Sequence, residues 1–188
     1  MSSELWVVRH GPTEWSRDGR HTSVTDLPLL TDGEDDARAL APRLADLDPA
    51  LVLSSPRQRA VRTAELAGFG PDRVEVDDDL VEWAYGDYEG VTTETIRETV
   101  PGWTVWTHDS PGGETAEQVG ARLDRVVARA RAVDGPTLCF GHGHALRVLA
   151  ARWLGLPVAD GRHLKLDTAT VSVLGWERET PVVLRWNG

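Results

Sequence analysis

Three short apolar runs, each followed by a polar loop and a helix-like pattern, constrain the fold of this chain most strongly. The runs cover residues 5–8, 51–53 and 137–140, and each has the length and composition of a buried strand. Strands that alternate with helices favour a parallel sheet with helices packed on it. The pattern predicts an α/β fold, a three-layer α/β/α domain with a mostly parallel central sheet, and the 188 residues fit one domain spanning 1–188.

Two sequence signals predict where the first long helices begin. The capping-box spacing from Thr31 to Glu34 predicts a helix that ends near Asp48. Ser54, Ser55 and Pro56 have the residue types of a polar N-cap followed by a first-turn proline, which predicts a helix through about Leu66. The remaining predicted elements are a short edge strand at 74–76, helices at about 93–99, 115–133 and 143–154, and a closing hairpin of 170–176 and 182–186.

Charge and cysteine content exclude several classes of protein. The formal net charge is −10, whereas binding to nucleic acid or to an anionic membrane requires a basic face. No apolar run approaches the roughly 18–20 residues that span a bilayer, and the first ten residues lack the pattern of a secretory signal. The single cysteine, Cys139, excludes a disulfide framework and a cysteine zinc site, so the predicted location is the cytoplasm.

Polar residues follow each of the three predicted parallel strands. Arg9 and His10 follow the first, Ser54 and Ser55 the second, and the sequence G-H-G-H at 141–144 the third. Ligands of open α/β sheets bind at the carboxyl ends of the strands. The sequence therefore predicts a site where these three strand ends converge.

The residues at these strand ends resemble the motifs of a known family. The run R-H-G-P-T-E-W at 9–15 resembles the signature of the histidine phosphatase (phosphoglycerate mutase-like) superfamily. Three further segments resemble the family's motifs in the expected order: S-S-P-R-Q-R-A-V-R-T-A at 54–64, L-V-E-W-A-Y-G-D-Y-E-G at 80–90 and G-H-G-H at 141–144. The resemblance covers essentially the whole chain and implies a phosphoglycerate mutase-like fold.

The resemblance assigns catalytic roles to five residues. His10 is the expected nucleophile, which forms a phosphohistidine intermediate, and Glu82 is the expected proton donor and acceptor. Such an acid must hold its proton near neutral pH, which partial burial beside Trp83 and Tyr85 would favour. Asp87 and Glu89 are alternative acids nearby. The clamp expected to stabilise the transferring phosphoryl group consists of Arg9, Arg59 and His142.

A second set of residues is predicted to contact the substrate. Ser16 stands where many family members carry a phosphate-binding asparagine, Ser23 where a glycine is usual, and the Gly143 amide opens a helix. The predicted substrate-binding residues are Ser16, Thr22, Ser23, Trp83, Tyr85, Gly143 and His144. His142 and His144 could also be a metal pair, but the family uses no metal, so no metal and no cofactor are predicted. His21, His108 and His163 have no motif support and are expected to be ordinary residues.

The segment 13–29 looks like the branch that contains sedoheptulose-1,7-bisphosphatase and bacterial sugar phosphatases. The predicted function is a metal-independent phosphatase of sugar phosphates or similar small metabolites, with the irregular region 77–113 covering the substrate. The alternatives are a phosphoglycerate-type mutase, a phosphatase of an aromatic or natural-product phosphate that stacks on tryptophans at 83, 103 and 106, and a catalytically silent binding module. The oligomeric state is left open, with a homodimer as one alternative.

Overall fold

A central six-stranded sheet organises the molecule. A computed structural model of the chain describes residues 3–188, so that residues 1–2 of the predicted domain lie outside the described part. The strands are β1 (Glu4–Arg9), β2 (Leu51–Ser54), β3 (Glu75–Val76), β4 (Pro136–Gly141), β5 (Val171–Glu177) and β6 (Thr180–Arg185). Their spatial order is β3-β2-β4-β1-β5-β6. The first four in this order run parallel, whereas β5 and β6 are antiparallel to their neighbours.

Helices cover both faces of this sheet. They are α1 (Glu14–Asp18), α2 (Thr31–Arg38), α3 (Ala41–Leu44), α4 (Gln58–Leu66), α5 (Thr93–Thr99), α6 (Ala116–Ala132) and α7 (Gly143–Trp153). Three 3-10 turns cover Asp78–Leu80, Gly86–Tyr88 and Val158–His163. α2 packs against α4, and α6 packs against α7. Among residues 3–188, no helix combines the length and the apolar character needed to cross a membrane.

The side chains of the strands point alternately to the two faces of the sheet, and this produces two hydrophobic cores. Val7 and Cys139 belong to the core shared with α6 and α7. Their strand neighbours Val8 and Phe140 belong to the core under α3 and α4. Successive side chains of a strand point to opposite faces, so one strand serves both layers. The predicted three-layer α/β/α arrangement with a mostly parallel sheet is confirmed.

The predicted helix from Thr31 to Asp48 is wrong in two respects. It is split into α2 and α3, because Pro42 has no N–H to continue the helical hydrogen bonds of the preceding turn. The N-cap is Leu30, which makes no side-chain capping bond, so Thr31 is the first helical residue and not the cap.

The predicted start of the next helix is also wrong. α4 begins at Gln58 with Arg57 as N-cap, and Ser54 is the last residue of β2. The cap comes from a distant part of the chain, since Asp26 Oδ1 accepts a hydrogen bond from the Gln58 amide at 3.0 Å. A cap supplied by a residue 32 positions away cannot be recognised from local sequence.

Helices α5 and α6 form where the sequence predicts them. α5 occupies Thr93–Thr99. α6 begins after Thr115, whose side chain and that of Gln118 form a reciprocal capping box. Between α4 and α6 the chain is largely irregular, as expected for 77–113.

Candidate active site

A cavity of about 220 Å³ opens at the carboxyl ends of β1 and β4. It lies where the sequence predicts a site, and Glu82 is the only carboxylate among the described residues that line it. The lining residues are Arg9, His10, Thr13, Ser16, Gly19, Arg20, His21, Thr22, Glu82, Tyr85, Thr93, Gly143, His144, Arg147 and Leu166. Three arginines against one carboxylate make this cavity cationic in a chain whose net charge is −10.

His10 lies directly after β1 and is held in one tautomer. Its Nδ1 is 2.7 Å from the Gly11 carbonyl oxygen, which can only accept, so Nδ1 carries the hydrogen and Nε2 carries the lone pair. Burial, with the nearby charges of Arg59 and Arg9, holds the pKa of His10 well below its ordinary value. His10 is therefore a neutral imidazole with an unprotonated Nε2 at the cavity wall.

Arg9 crosses the start of α7. Its Nη1 donates to the Leu166 carbonyl at 2.7 Å, while its buried Nε has no hydrogen-bond partner within residues 3–188. A Cβ atom at Gly143 would lie 3.3 Å from the Arg9 guanidinium carbon, so a glycine at 143 allows the close approach. A buried donor without a partner is costly, so Arg9 is held in this position by the rest of the structure, at the wall of the cavity.

His142 and Arg59 lie behind His10 and do not line the cavity. Arg59 Nε donates to His142 Nδ1 at 3.2 Å, so the neutral His142 carries its hydrogen on Nε2, which lies 2.7 Å from Ser55 Oγ. Burial and the Arg59 charge hold the pKa of His142 well below its ordinary value. The rings of His10 and His142 meet edge to face at a centroid distance of 5.2 Å.

Arg59 also fixes the loop at residues 22–25. Its Nη1 donates to the Thr25 carbonyl at 3.0 Å, and its Nη2 donates to the carbonyls of Thr22 and Ser23 at 3.3 Å each. From the other side, Glu89 accepts hydrogen bonds from the amides of Ser23 and Thr25. In this structure Arg59 is thus a loop anchor, and its contact with a phosphoryl group stays a prediction.

Glu82 is held by three backbone amides. Its Oε1 accepts from Trp83 at 2.9 Å and from Ala145 at 2.7 Å, whereas Oε2 accepts only from His144 at 3.0 Å. Oε2 therefore has the free acceptor capacity that a transferred proton needs. The two alternative acids differ: Asp87 is exposed and Glu89 holds the loop, and neither lines the cavity.

Tyr85 and His144 form a buried polar pair on the same wall. Tyr85 Oη lies 2.6 Å from His144 Nδ1. Burial raises the pKa of Tyr85 well above its ordinary value and lowers that of His144 well below, so both groups are neutral. Both residues line the cavity, as do the predicted Ser16, Thr22 and Gly143.

Two predicted substrate-binding residues do not line the cavity. Ser23 is only 2% exposed, and its hydroxyl donates to the Glu82 carbonyl, so it supports the backbone of the acid. Trp83 is 2% exposed, and its indole N–H donates to the Glu114 carbonyl. Trp103 and Trp106 are also absent from the cavity wall. None of these three tryptophans lines the cavity, so the predicted contact of Trp83 with the substrate and the alternative of stacking on a substrate ring have no support in this geometry.

Five polar residues that were not predicted to be part of the site line the cavity: Thr13, Arg20, His21, Thr93 and Arg147. Of these, His21 was expected to be an ordinary residue. Arg147 could have been found, since it follows Gly143 and His144 by four and three residues on α7 and shares their face. Its guanidinium stacks on Trp106 at 4.5 Å and donates through Nε to the Gly161 carbonyl. His21 and Thr93 are brought together by contacts between distant segments, which no local motif indicates.

The arrangement has the parts of a phosphoryl-transfer site. It combines an unprotonated imidazole nitrogen, fixed cationic donors and one carboxyl group in one cavity. Within residues 3–188, no three or more His, Cys, Asp or Glu side chains are grouped so as to hold a metal ion.

Comparison with known proteins identifies the family. Residues 5–188 match the model of the histidine phosphatase superfamily, branch 1. The chain is 42% identical to an acid phosphatase of Mycobacterium tuberculosis over 92% of this chain and 86% of that protein. It is 39% identical to the sedoheptulose 1,7-bisphosphatase of Saccharomyces cerevisiae over 81% of this chain and 68% of that protein.

A solved structure agrees with this assignment. The structure of the open reading frame Rv3214 from Mycobacterium tuberculosis superposes with a TM-score of 0.93 at 38% identity, covering 100% of this chain and 98% of that one. The fold is accordingly phosphoglycerate mutase-like, as the sequence motifs predict. The two relatives described above are named as phosphatases, whereas a relative from Salmonella paratyphi C, 28% identical over 97% of this chain and 89% of that protein, is named as a probable phosphoglycerate mutase. The chain belongs to branch 1 of the histidine phosphatase superfamily.

Proposed function

We propose that this protein is a metal-independent phosphatase that removes the phosphoryl group of sugar phosphates or similar small metabolites through a phosphohistidine intermediate. The observation that carries the proposal is the state of His10: a neutral ring, anchored through Nδ1, whose Nε2 is free at the wall of a cationic cavity. A neutral imidazole of this kind is a good nucleophile toward phosphorus.

The reaction proceeds in two displacements. In the first, His10 Nε2 attacks phosphorus, the ester P–O bond breaks, and the leaving alkoxide takes a proton from Glu82. In the second, Glu82 takes a proton from water, the resulting oxygen nucleophile attacks phosphorus, and the P–N bond breaks to release inorganic phosphate. Glu82 ends each cycle as it began, and Oε2, with a single amide donor, is the oxygen that carries the proton.

The charge of the transferring group is stabilised by donors that are already in place. Arg9 offers the charge of its guanidinium group, and the Gly143 amide, the one among the first three amides of α7 that does not donate to Glu82, adds the positive end of an 11-residue helix beside it. These donors do not have to reorganise during the reaction, which is where an enzyme gains most from electrostatics. Behind His10, Arg59 contributes positive charge and hydrogen bonds, and the neutral His142 contributes hydrogen bonds.

The cavity wall favours a polyol phosphate over an aromatic one. Polar side chains dominate the wall, including Thr22, Thr93 and His21, and no tryptophan of residues 3–188 lines it. Tyr85 is the one Phe, Tyr or Trp side chain of residues 3–188 that lines it, and its hydroxyl group is paired with His144, so a ring-stacking substrate finds little aromatic surface there. The mutase alternative has less support, because the relatives named as phosphatases are 42% and 39% identical to this chain, whereas the relative named as a probable phosphoglycerate mutase is 28% identical.

The test is phosphate release from a panel of sugar, polyol, phosphoglycerate and nucleotide monophosphates in excess chelator. Wild type is compared with His10→Ala and with His163→Ala, which removes an exposed histidine that does not line the cavity. We expect chelator-resistant release that is lost only in His10→Ala, and a phosphoryl mass adduct on His10 in alkaline-quenched wild type. Isomerised phosphoglycerate without free phosphate would assign the mutase reaction instead. Absence of release from every compound by folded wild type would contradict the proposal.

The remaining predictions about partners belong to this proposal. The substrate is a small-molecule phosphate ester, and the acidic net charge of −10 disfavours nucleic acid as a partner. A cytoplasmic location stays a prediction, and the oligomeric state stays open.

A further inference from the structure

We infer that His21 is a specificity-determining residue whose Nε2 accepts a hydrogen bond from a hydroxyl group on the leaving-group part of the substrate. The inference rests on the proposed function, since it concerns the substrate of the same cavity. His21 is 8% exposed, lines the cavity, and has no role in the displacement steps described above.

The backbone of His21 is fixed by the segment around Val91. The His21 amide donates to the Val91 carbonyl at 3.0 Å, and the His21 carbonyl accepts from the Gly90 amide at 2.8 Å. Arg20 pairs with Thr92 in an antiparallel bridge next to these bonds. The His21 backbone is therefore held by antiparallel pairing of residues 20–21 with residues 90–92.

The tautomer of His21 is fixed as well. Its Nδ1 lies 2.6 Å from the Val91 carbonyl oxygen, which can only accept, so Nδ1 carries the hydrogen. Burial lowers the pKa of His21, against smaller opposing effects of the Val91 hydrogen bond and of the Glu82 and Glu89 charges, so the ring is neutral. Nε2 is consequently an acceptor, and no hydrogen bond within residues 3–188 occupies it.

Aromatic neighbours hold the orientation of the ring. Tyr85 and Trp103 meet it edge to face at centroid distances of 4.7 and 5.2 Å. His144 stacks beside it at 6.2 Å with an interplanar angle of 15°. An acceptor whose position, rotation and protonation are all set in advance loses little entropy when a donor binds it.

This geometry selects the chemistry of the ligand. A hydroxyl group can donate to the Nε2 lone pair, whereas a second phosphate or a carboxylate presents only lone pairs to it at neutral pH. Thr22 and Thr93 add hydroxyl groups to the same cavity. Arg20 and Arg147 also line it, so a second anionic group on the substrate is the competing interpretation, and the experiment has to separate the two.

Two variants of His21 separate the role of the Nδ1 donor from that of the Nε2 acceptor. His21→Asn keeps a side-chain N–H at the place of Nδ1, for the Val91 carbonyl, and removes the acceptor at Nε2. His21→Gln places an amide group near Nε2 and can restore an acceptor there. Each is assayed for kcat/KM on glycerol 3-phosphate and propyl phosphate, which differ in hydroxyl groups, and on fructose 6-phosphate and fructose 1,6-bisphosphate, which differ in a second anion.

We expect His21→Asn to lose about 3- to 10-fold in kcat/KM on the hydroxylated esters, the worth of one hydrogen bond, and to change less than about twofold on propyl phosphate. His21→Gln should recover part of the loss. An equal loss on propyl phosphate would assign His21 a structural role, and a loss confined to the bisphosphate would assign it to an anion site; either result overturns the inference.

A separate measurement in the same experiment tests the proposed phosphatase function independently of His21. Turnover of p-nitrophenyl phosphate by wild type and its loss in His10→Ala test the nucleophile without any hydroxyl on the leaving group. If wild type hydrolyses that ester but does not distinguish glycerol 3-phosphate from propyl phosphate, the proposed function stands and the inference about His21 fails.

Discussion

At the scale of single residues, the site depends on which nitrogen of each imidazole carries the hydrogen. His10 and His21 each donate from Nδ1 to a backbone carbonyl, which leaves Nε2 unprotonated. His142 accepts at Nδ1 from Arg59 and therefore carries its hydrogen on Nε2. One fixed hydrogen bond per ring is enough to make the first two rings acceptors or nucleophiles and the third a donor.

The role of Glu82 can be tested through the leaving group. Glu82→Gln keeps the shape of the side chain but cannot protonate an alkoxide or activate water. We expect turnover of alkyl phosphates to fall by roughly 10²–10⁴-fold. p-Nitrophenolate leaves without a proton, so its first displacement should remain fast while hydrolysis of the phosphohistidine slows. Stopped-flow absorbance should then show a burst of nitrophenol close to one equivalent per site.

Asp87→Asn is the matched control, because Asp87 is an exposed carboxylate five residues after Glu82 that does not line the cavity. It should retain wild-type steady-state rates on both ester classes. If Glu82→Gln slowed alkyl and nitrophenyl esters equally and gave no burst, a different group would be the acid and base.

Motifs and long-range contacts account for different residues of the site. His10, Arg9 and Glu82 could be chosen from short motifs, and the structure brings them to one cavity. His21 could not, because its position depends on pairing with Val91, 70 residues away. Trp83 was misjudged for a related reason: its neighbour in sequence faces the cavity, while its own side chain faces the core.

At the scale of elements, the start of α7 assembles much of the site. The amides of His144 and Ala145 hold the Glu82 carboxylate, and Gly143 lets Arg9 lie across the helix start. Arg147 follows one turn later on the same face. A single helix terminus thus holds both Glu82, the proposed acid, and Arg9, the proposed cationic donor.

The turn that carries Tyr85 depends on Gly86. Gly86 has φ +53°, and a Cβ there would lie 2.1 Å from the Pro111 carbonyl oxygen and 2.4 Å from the Gly113 nitrogen. Both atoms belong to backbone and cannot rotate away. We expect Gly86→Ala to lower the free energy of unfolding by about 2–4 kcal/mol, from strain and overlap together, and to reduce activity by moving Tyr85.

Urea unfolding and kcat/KM on the same preparations measure both effects. Gly102→Ala is the matched control: Gly102 has φ +77° but nothing lies within 4 Å of its Cβ position. It should lose only about 1–2 kcal/mol, the cost of the left-handed conformation, and keep full activity. Equal losses for the two variants would mean that the contact with residues 111–113 contributes nothing.

Element types were more predictable than the residues that start each element. The start of α6 was predicted at about residue 115, where both partners of the capping box, Thr115 and Gln118, are local. The start of α4 was not, because Asp26 supplies its cap from another loop. The break between α2 and α3 was indicated by Pro42 but outweighed by the continuous Ala- and Leu-rich pattern around it.

At the scale of the whole molecule, charge is segregated. A chain of net charge −10 places three arginines in one cavity and pairs many others with carboxylates at the surface, as Arg125 and Arg129 do with Asp79 and Asp77. Exposed pairs of this kind add little stability. Their effect is to neutralise surface arginines. Of the three arginines that line the cavity, Arg20 pairs with Asp18, whereas Arg9 and Arg147 make no ion pair within residues 3–188.

Burying neutral histidines at this cavity makes folding sensitive to acid. The pKa values of His10, His142 and His144 lie well below the ordinary value, chiefly because of burial, and that of His21 is lowered as well. In the unfolded chain these groups titrate near pH 6.5. As pH falls through about 6.5, the unfolded chain binds protons that the folded chain does not, so the free energy of unfolding decreases.

Each such histidine contributes a slope of up to about 1.4 kcal/mol per pH unit below 6.5 until the folded group itself titrates. We expect urea-unfolding midpoints to fall steeply between about pH 6.5 and 5.5, before carboxylates titrate in the unfolded chain. His144→Asn removes one buried histidine and should flatten the slope, whereas His163→Asn, at an exposed position, should leave it unchanged. A midpoint independent of pH over this range would mean that the site histidines take up protons as readily in the folded protein as in the unfolded chain, and the neutral state assigned to His10 would then be wrong.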